Sequence, residues 1–465
     1  MNNLLLDLRE GREISFKNRI LLIIQLSLPS ILAQLSSVVM QYIDASMVGQ
    51  LGANDSASIG LVSSTTWFLG GINSAFSVGF TVQIAQLIGA GQFKEARKVM
   101  KQGLFVVFSL SLLLLAFGFS ASFWMPSWLG GSEDIIHNAS MYLRVYALFI
   151  PFSTLRYMAG GSLQSSGNMK IPSMLNILMC FLDVIFNFIL IFPSHQFLKI
   201  TIPGFNLRVT GAALGTALSE VVCALCMLYF LLVKSDLLHL RKEEHFSWNK
   251  NHLKNAAQIG IPVAIESAIS SSAYIAFTKI VAPLGTISIA ANSFSITAES
   301  LCYMPGYGIG VAATTIIGQS IGAKRNDLTK ELGNLTVIFG MLIMACSGIL
   351  MYIFAPFMIG LLTPNADIQS LAIQILRIEA FAEPLYGASI ICAGIFRGAG
   401  DTLVSTILNF VSMWCVRIPL AYFLSSSYGL KGVWFAMSFE LCFRGIIFLI
   451  RFSRNKWTKN FVEDL

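Results

Sequence analysis

The chain has 465 residues, of which 55% are hydrophobic and only 12% charged, with a net charge of +7. Soluble globular domains carry about 25% charged residues, so too few charges remain here to cover a water-exposed surface of this size. A soluble enzyme, a disordered chain and a fibrous protein are excluded, which leaves a polytopic helical membrane protein.

An apolar helix of about 20 residues crosses the hydrocarbon core. The first such run begins near Ile20, after Asp7, Glu10 and Glu13, and reads as a span, not a cleavable signal. Continuing along the chain, the runs are 20–46, 57–84, 102–126, 139–164, 171–193, 210–233, 255–282, 286–317, 333–358, 368–395, 403–425 and 429–451. They are long and continuous, unlike the ten-residue alternating segments of a barrel. Alternate loops carry 22 of the 31 basic residues, among them Arg97, Lys101, Lys242, Lys324, Lys456 and Lys459. The other loops hold Lys199, Arg208 and Lys431. This bias predicts both termini in the cytoplasm and an even number of spans. It also argues against nucleic-acid binding, because the basic residues are dispersed in short loops. The eight cysteines lie in apolar runs and the five histidines in polar segments. Cys223-x-x-Cys226 has no second pair to complete a zinc site, so packing is expected for all eight cysteines.

Sliding the chain against itself by 233 residues brings Pro29 onto Pro262, Leu51-Gly52 onto Leu284-Gly285 and Gln86 onto Gln319. Arg144 falls on Arg377, Pro151 on Pro384 and Asn176 on Asn409. One offset over this length implies a duplication into two six-helix halves of like orientation, related by an axis along the membrane normal. The expected architecture is all-α and polytopic, with twelve transmembrane helices. An N-terminal lobe (1–233), a polar cytoplasmic linker (234–254) and a C-terminal lobe (255–465) make up the chain. Two similar lobes on a linker suggest a rocking transporter with substrate between them; a membrane-embedded enzyme such as an acyltransferase is not expected, because no histidine lies in any span.

The motifs are Asp44 with Val48-Gly49-Gln50-Leu51-Gly52, and Gln86-Leu87-Ile88-Gly89-Ala90-Gly91. Gly318-Gln319-Ser320-Ile321-Gly322-Ala323, Phe396-Arg397-Gly398-Ala399-Gly400-Asp401 and Gly211-Ala212-Ala213-Leu214-Gly215-Thr216 complete the set. In this order they resemble the MATE (multidrug and toxin extrusion) family over nearly the whole chain. The resemblance implies export of lipophilic, often cationic organic compounds in exchange for Na+ or H+. The protein would then be a monomer in the cell (inner or plasma) membrane, with no cofactor beyond the coupling ion. Many members carry Asn-x-x-x-Asp in helix five, where this chain has Asp183-x-x-x-Asn187. One branch uses a helix-ten aspartate, whose place Tyr386 takes here.

Ionisable residues inside spans are costly and face protein or water. The spans hold Asp44, Asp183, Glu220, Glu266, Glu299, Glu379, Glu383 and Glu440, with Asp401 at a helix mouth. Asp183 and Asn187 share a helix face. With Asp44 and Thr216 they reach one height, a set of hard oxygens that suits Na+ through Asp44, Asp183 and Asn187. The two carboxylates can instead share a proton. In the second half Glu266, Glu299, Glu379 and Glu383 are candidates for substrate or proton, with Glu379 and Glu383 expected on one face. Pro384 is expected to free a carbonyl, and Pro305-Gly306-Tyr307-Gly308 to loosen helix eight. The bland alternatives are an Asp44 bonded within its own lobe and glutamates paired to Lys279, Arg377 or Arg417. The repeated Arg144 and Arg377 are expected to be structural. A lipid-linked-oligosaccharide flippase is the alternative function. It would favour a basic cavity, whereas the buried acids outnumber the buried bases eight to six.

Overall fold

A computed structural model describes residues 3–197, 200–241, 244, 246–454 and 457; Lys199, Lys242, Lys456 and Lys459 of the loop count lie outside the described residues. The chain is helical almost throughout. A short α1 (Asn3–Arg9) precedes α2 (Phe16–Gly49), α3 (Ala53–Gly89) and α4 (Phe93–Ala121). One turn, α5 (Met125–Trp128), leads to α6 (Glu133–Ser165) and α7 (Lys170–Ile191). An antiparallel hairpin of β1 (Pro193–Phe197) and β2 (Ile200–Phe205), which the sequence reading missed, joins α7 to α8 (Arg208–Tyr229). The second half runs α9 (Lys250–Val281), α10 (Thr286–Gly322), α11 (Asn326–Leu362), α12 (Ala366–Glu379) and α13 (Glu383–Ala399). It ends with α14 (Thr402–Phe410), a π-helical stretch Val411–Arg417, and α15 (Ile418–Ser453).

Among the described residues nine helices are long and apolar enough to cross a membrane, or ten when α12 and α13, bent by 60°, count as one span. The helix α6, with Arg144 and Arg156 in its body, is not among them. The segment Thr402–Ser453 counts as one of the nine, although Gly429 interrupts it with φ 57° and ψ −140°. Lipid-facing positions explain the bare apolar surface: Leu113, Phe357 and Leu361 are 69%, 65% and 73% exposed.

The helices form two compact units. One comprises Ser36–Ile88 and Gln92–Ala264, the other Asn2–Leu35, Gly89–Gly91 and Ile265–Leu465. The units divide α2 and α9 and do not follow the chain at 233. Both helices exceed 30 residues and carry a proline before the division, Pro29 and Pro262, which removes one backbone hydrogen bond from each. The first unit packs Val62, Leu69, Leu114, Leu143 and Ile150 at its centre. The second buries Met351, Leu376 and Trp434 together, and stacks Phe396 on Phe448 and Phe452 on Trp457.

Several local expectations need correction. α10 continues as one helix through Pro305 and is not loosened there. His252 sits in the first turn of α9 and is buried, because that helix starts five residues before the expected span. Cys346 and Cys415 are exposed, so packing does not describe all eight cysteines.

Candidate functional site

In the first unit, α2, α7 and α8 bring the predicted polar residues together. Asp183 and Asn187 follow each other by one turn on α7 and are fully buried. The two amide hydrogens of Asn187 are both used. One goes to Asp44 Oδ1 at 2.9 Å and the other to Asp183 Oδ2 at 3.0 Å. The amide therefore bridges two carboxyl groups that also lie within hydrogen-bonding reach of each other. Asn187 Oδ1 is buried and accepts no hydrogen bond among the described residues. Thr216 of α8 bears on Asp183 as well.

The approach of α8 depends on Gly215. A Cβ at that position would overlap Asn187 Oδ1 and lie 2.9 Å from the Asn187 backbone nitrogen. Only a hydrogen lets α8 come this close, in the manner of small residues at packed membrane helices. The sequence reading missed Ser219, one turn after Gly215. Its hydroxyl donates to Thr216 O at 2.8 Å and reaches Asp183 Oδ1 only at 3.5 Å. The signal for it was the spacing of four residues from Gly215, which puts both on the α7-facing side of α8.

The predicted acids of the second unit fall into separate groups. Glu266 accepts a 2.7 Å hydrogen bond from Asn409, the repeat partner of Asn176, within the fields of Arg397 and Arg444. Glu299, Glu379 and Glu383 are buried and act on one another electrostatically. Glu379 and Glu383 do not share a helix face as expected. Glu379 closes α12 and Glu383 opens α13, with a 60° bend between. Pro384 occupies the first turn of α13, where its missing N–H does no harm. The four carboxyl oxygens of Glu379 and Glu383 are buried and accept no hydrogen bond among the described residues.

Other acids are paired. Glu440 is held by Arg417 at 2.6 Å and Arg444 at 2.7 Å, Glu220 by Arg156 at 3.1 Å, and Asp401 by Arg451 at 2.6 Å. Of the expected cationic partners only Arg417 engages a glutamate among the described residues; Lys279 is exposed and Arg377 lies over the Tyr352 ring. Asp55, buried at the start of α3, was not anticipated. It pairs with Arg208 at 2.5 Å and accepts from Asn138 at 3.1 Å. No group of three or more His, Cys, Asp or Glu side chains could hold a metal among the described residues.

Comparison with known proteins places this architecture. The MatE family model matches residues 29–189 and 262–423, two stretches whose starts differ by the 233-residue offset of the internal repeat. The probable multidrug resistance protein NorM of Thermotoga maritima is 26% identical over 443 residues, covering 95% of this chain and 93% of the relative. The multidrug resistance protein NorM of Aliivibrio fischeri is 25% identical over 437 residues, covering 90% and 91%. A crystal structure of a MATE protein in complex with MaL6 superposes with a TM-score of 0.87 at 21% identity, covering 95% of this chain and 98% of the other. The helix order, the repeated motifs and a family match across both halves lead to one conclusion: the chain belongs to the MatE family.

Proposed function

We propose that this protein is a secondary active antiporter in the cell membrane, exporting lipophilic, often cationic organic compounds in exchange for Na+ or H+. It acts as a monomer with twelve crossings, α6 and the two arms on either side of Gly429 completing the count, and with both termini in the cytoplasm. The names of the relatives support multidrug export. The observation that carries the coupling role is the Asn187 amide bridging Asp44 and Asp183 inside the first unit. Two carboxyl groups at this separation hold one positive charge far better than none. A proton satisfies them, and so does a Na+ bound by Asp44, Asp183 and Thr216 oxygens with the orphan Asn187 Oδ1 turned toward it. Occupancy then biases the unit between two shapes, to the extent that the ion binds one shape more tightly than the other. The buried Glu299, Glu379 and Glu383 form a second reservoir for substrate charge or protons, and Glu266 a third.

The test is ethidium efflux from proteoliposomes with Na+ and pH gradients imposed separately. One gradient drives efflux by the wild type. Asp44→Asn keeps size and one acceptor oxygen but removes the charge, and abolishes gradient-driven efflux while the protein stays inserted and folded. Efflux by this variant at the wild-type rate under the same gradient would remove the coupling role.

A further inference from the structure

A cavity of about 350 Å³ opens where the chain turns from α4 through α5 into α6, and none of the carboxyl groups assigned to coupling lines it. Its lining includes Phe123, Glu133, His137, Met141 and Arg144. The guanidinium of Arg144 lies over the Phe123 ring, its Cζ 4.1 Å from the ring centre. Its Nε donates to Ser122 Oγ at 3.2 Å, and Nη1 approaches Met141 Sδ at 3.8 Å. Arg144 forms no ion pair with any Asp or Glu among the described residues, although Glu133 lines the same cavity. A cation held over a ring by a hydroxyl and a weak sulfur acceptor, without a counter-charge and on the lining of a cavity, is suited to receive an anion from outside the protein. On the topology proposed above the position is interfacial. Trp124 and Trp128, 47% and 74% exposed, flank Met125 and Pro126 beside the cavity in the manner of an aromatic belt.

The internal repeat shows what is particular to this place. Arg377, the repeat partner of Arg144, also lies over an aromatic ring, 5.1 Å from the centre of Tyr352. An arginine on an aromatic ring is thus common to both units. In the second unit, however, the positions of Glu133 and His137 are taken by Ala366 and Ser370, one apolar and the other uncharged. Among the described residues the first unit combines an arginine without an ion pair, an acid and an imidazole one helical turn from that acid on the lining of one cavity. Phosphate alone needs no acid nearby, whereas a headgroup with a phosphodiester and a primary ammonium needs both charges.

We infer that this cavity is a binding site for the headgroup of a phosphoethanolamine lipid, its phosphodiester on Arg144 and its ammonium on Glu133. His137 lies within the same cavity and supplies a further polar contact to the phosphodiester. On the topology proposed above the site faces the outer leaflet. Headgroup binding itself does not depend on transport.

The experiment is native mass spectrometry of the full-length protein released from detergent, with phosphatidylethanolamine, phosphatidylglycerol or inorganic phosphate added. Wild type is expected to retain one phosphatidylethanolamine in preference to phosphatidylglycerol. Arg144→Gln removes a charged hydrogen-bond donor and lowers retention about tenfold or more. Arg144→Lys keeps part of the binding, which separates loss of charge from loss of fold. Glu133→Gln brings the two lipids to equal retention. Arg377→Gln deletes the equivalent arginine of the other unit and leaves retention unchanged. Three outcomes overturn the inference: undiminished lipid in folded Arg144→Gln, equal retention of both lipids by wild type, or displacement of the lipid by inorganic phosphate.

Discussion

Glu440 and Glu383 are both fully buried glutamates of the second unit, and their surroundings set them apart. Arg417 and Arg444 converge on Glu440 with five hydrogen bonds and ion contacts between 2.6 and 2.9 Å. Removing that one charge leaves two guanidinium groups without a counter-charge, so Glu440→Gln is expected to cost about 3–5 kcal/mol. Glu383 accepts no hydrogen bond among the described residues, so Glu383→Gln forfeits none and its unfolding midpoint is expected to stay at or above the wild-type value. Thermal unfolding in detergent compares the two. A loss in Glu383→Gln equal to that in Glu440→Gln would show that Glu383 has a structural partner. Impaired efflux with an intact midpoint is the pattern expected of a residue that carries substrate or protons. At this scale the sequence revealed which acids enter the membrane, because a charge in an apolar run stands out. It did not reveal their partners. Arg417 meets Glu440 across 23 positions through the π-helical turn that ends at Arg417, and that turn leaves no signature in the residue pattern.

The break between α12 and α13 is the clearest case in which an element departs from its residue pattern. The run 368–395 reads as one helix, yet Ala380–Ala382 turn the chain by 60°. Ala382 N donates to Glu379 O at 2.8 Å, and Tyr386 N to Ala382 O at 2.8 Å, so the backbone is satisfied on both sides of the turn. Proline alone does not decide this, since α10 runs unbroken through Pro305. The difference is the neighbour: Gly348 of α11 sits against the turn, where a Cβ would lie 2.7 Å from Ala380 O and 3.0 Å from Glu383 Cβ. Gly348→Ala is therefore expected to destabilise the protein by about 1–3 kcal/mol through overpacking. An unchanged unfolding midpoint would show that α11 yields freely. The linker is a second element whose hold is physical and testable. Arg97 clasps Glu244 at 2.5 Å, and Gln102 donates to Asn249 O at 2.9 Å. The hydrogen bond from Arg97, aided by the charges of Arg97 and Lys101, holds the Glu244 carboxyl below its usual value of 4.5. A depressed value means that the contribution is complete above about 4.5 and fades as pH falls through the folded value. Trp248, packed edge-on against Phe105 at 6.0 Å, reports on the linker when it is the only tryptophan left. Its fluorescence is expected to step on acidification below about 4.5 in wild type, and Arg97→Gln to lack that step. The same step in Arg97→Gln would detach the linker from this ion pair.

For the molecule as a whole, the duplication was legible because an offset of 233 preserves turn glycines and prolines, and the family match begins at its two equivalent positions, 29 and 262. The compact units were not legible. Where long helices such as α2 and α9 change partners is decided by packing across distant segments, and the hydropathy of each helix is continuous through that point. Orientation rests on the unequal distribution of basic residues, 22 in one set of loops against 3 in the other. A translocating chain retains Lys and Arg on the cytoplasmic side, so the richer set is expected inside. The helix α3 offers the sharpest test. It has 37 residues, about 55 Å at 1.5 Å per residue, more than enough to cross the bilayer. Asn54 lies at its first turn and Gln92 just beyond its end, and both side chains are exposed. Single cysteines at these positions, in a chain freed of its own eight, should react with a membrane-impermeant maleimide from opposite sides. Asn54→Cys is expected to label in intact cells, and Gln92→Cys only after the membrane is opened. The reverse pattern would turn the molecule over and place the Arg144 cavity in the inner leaflet. Labelling of both from one side would mean that α3 does not cross at all, and would leave the even count of spans without support.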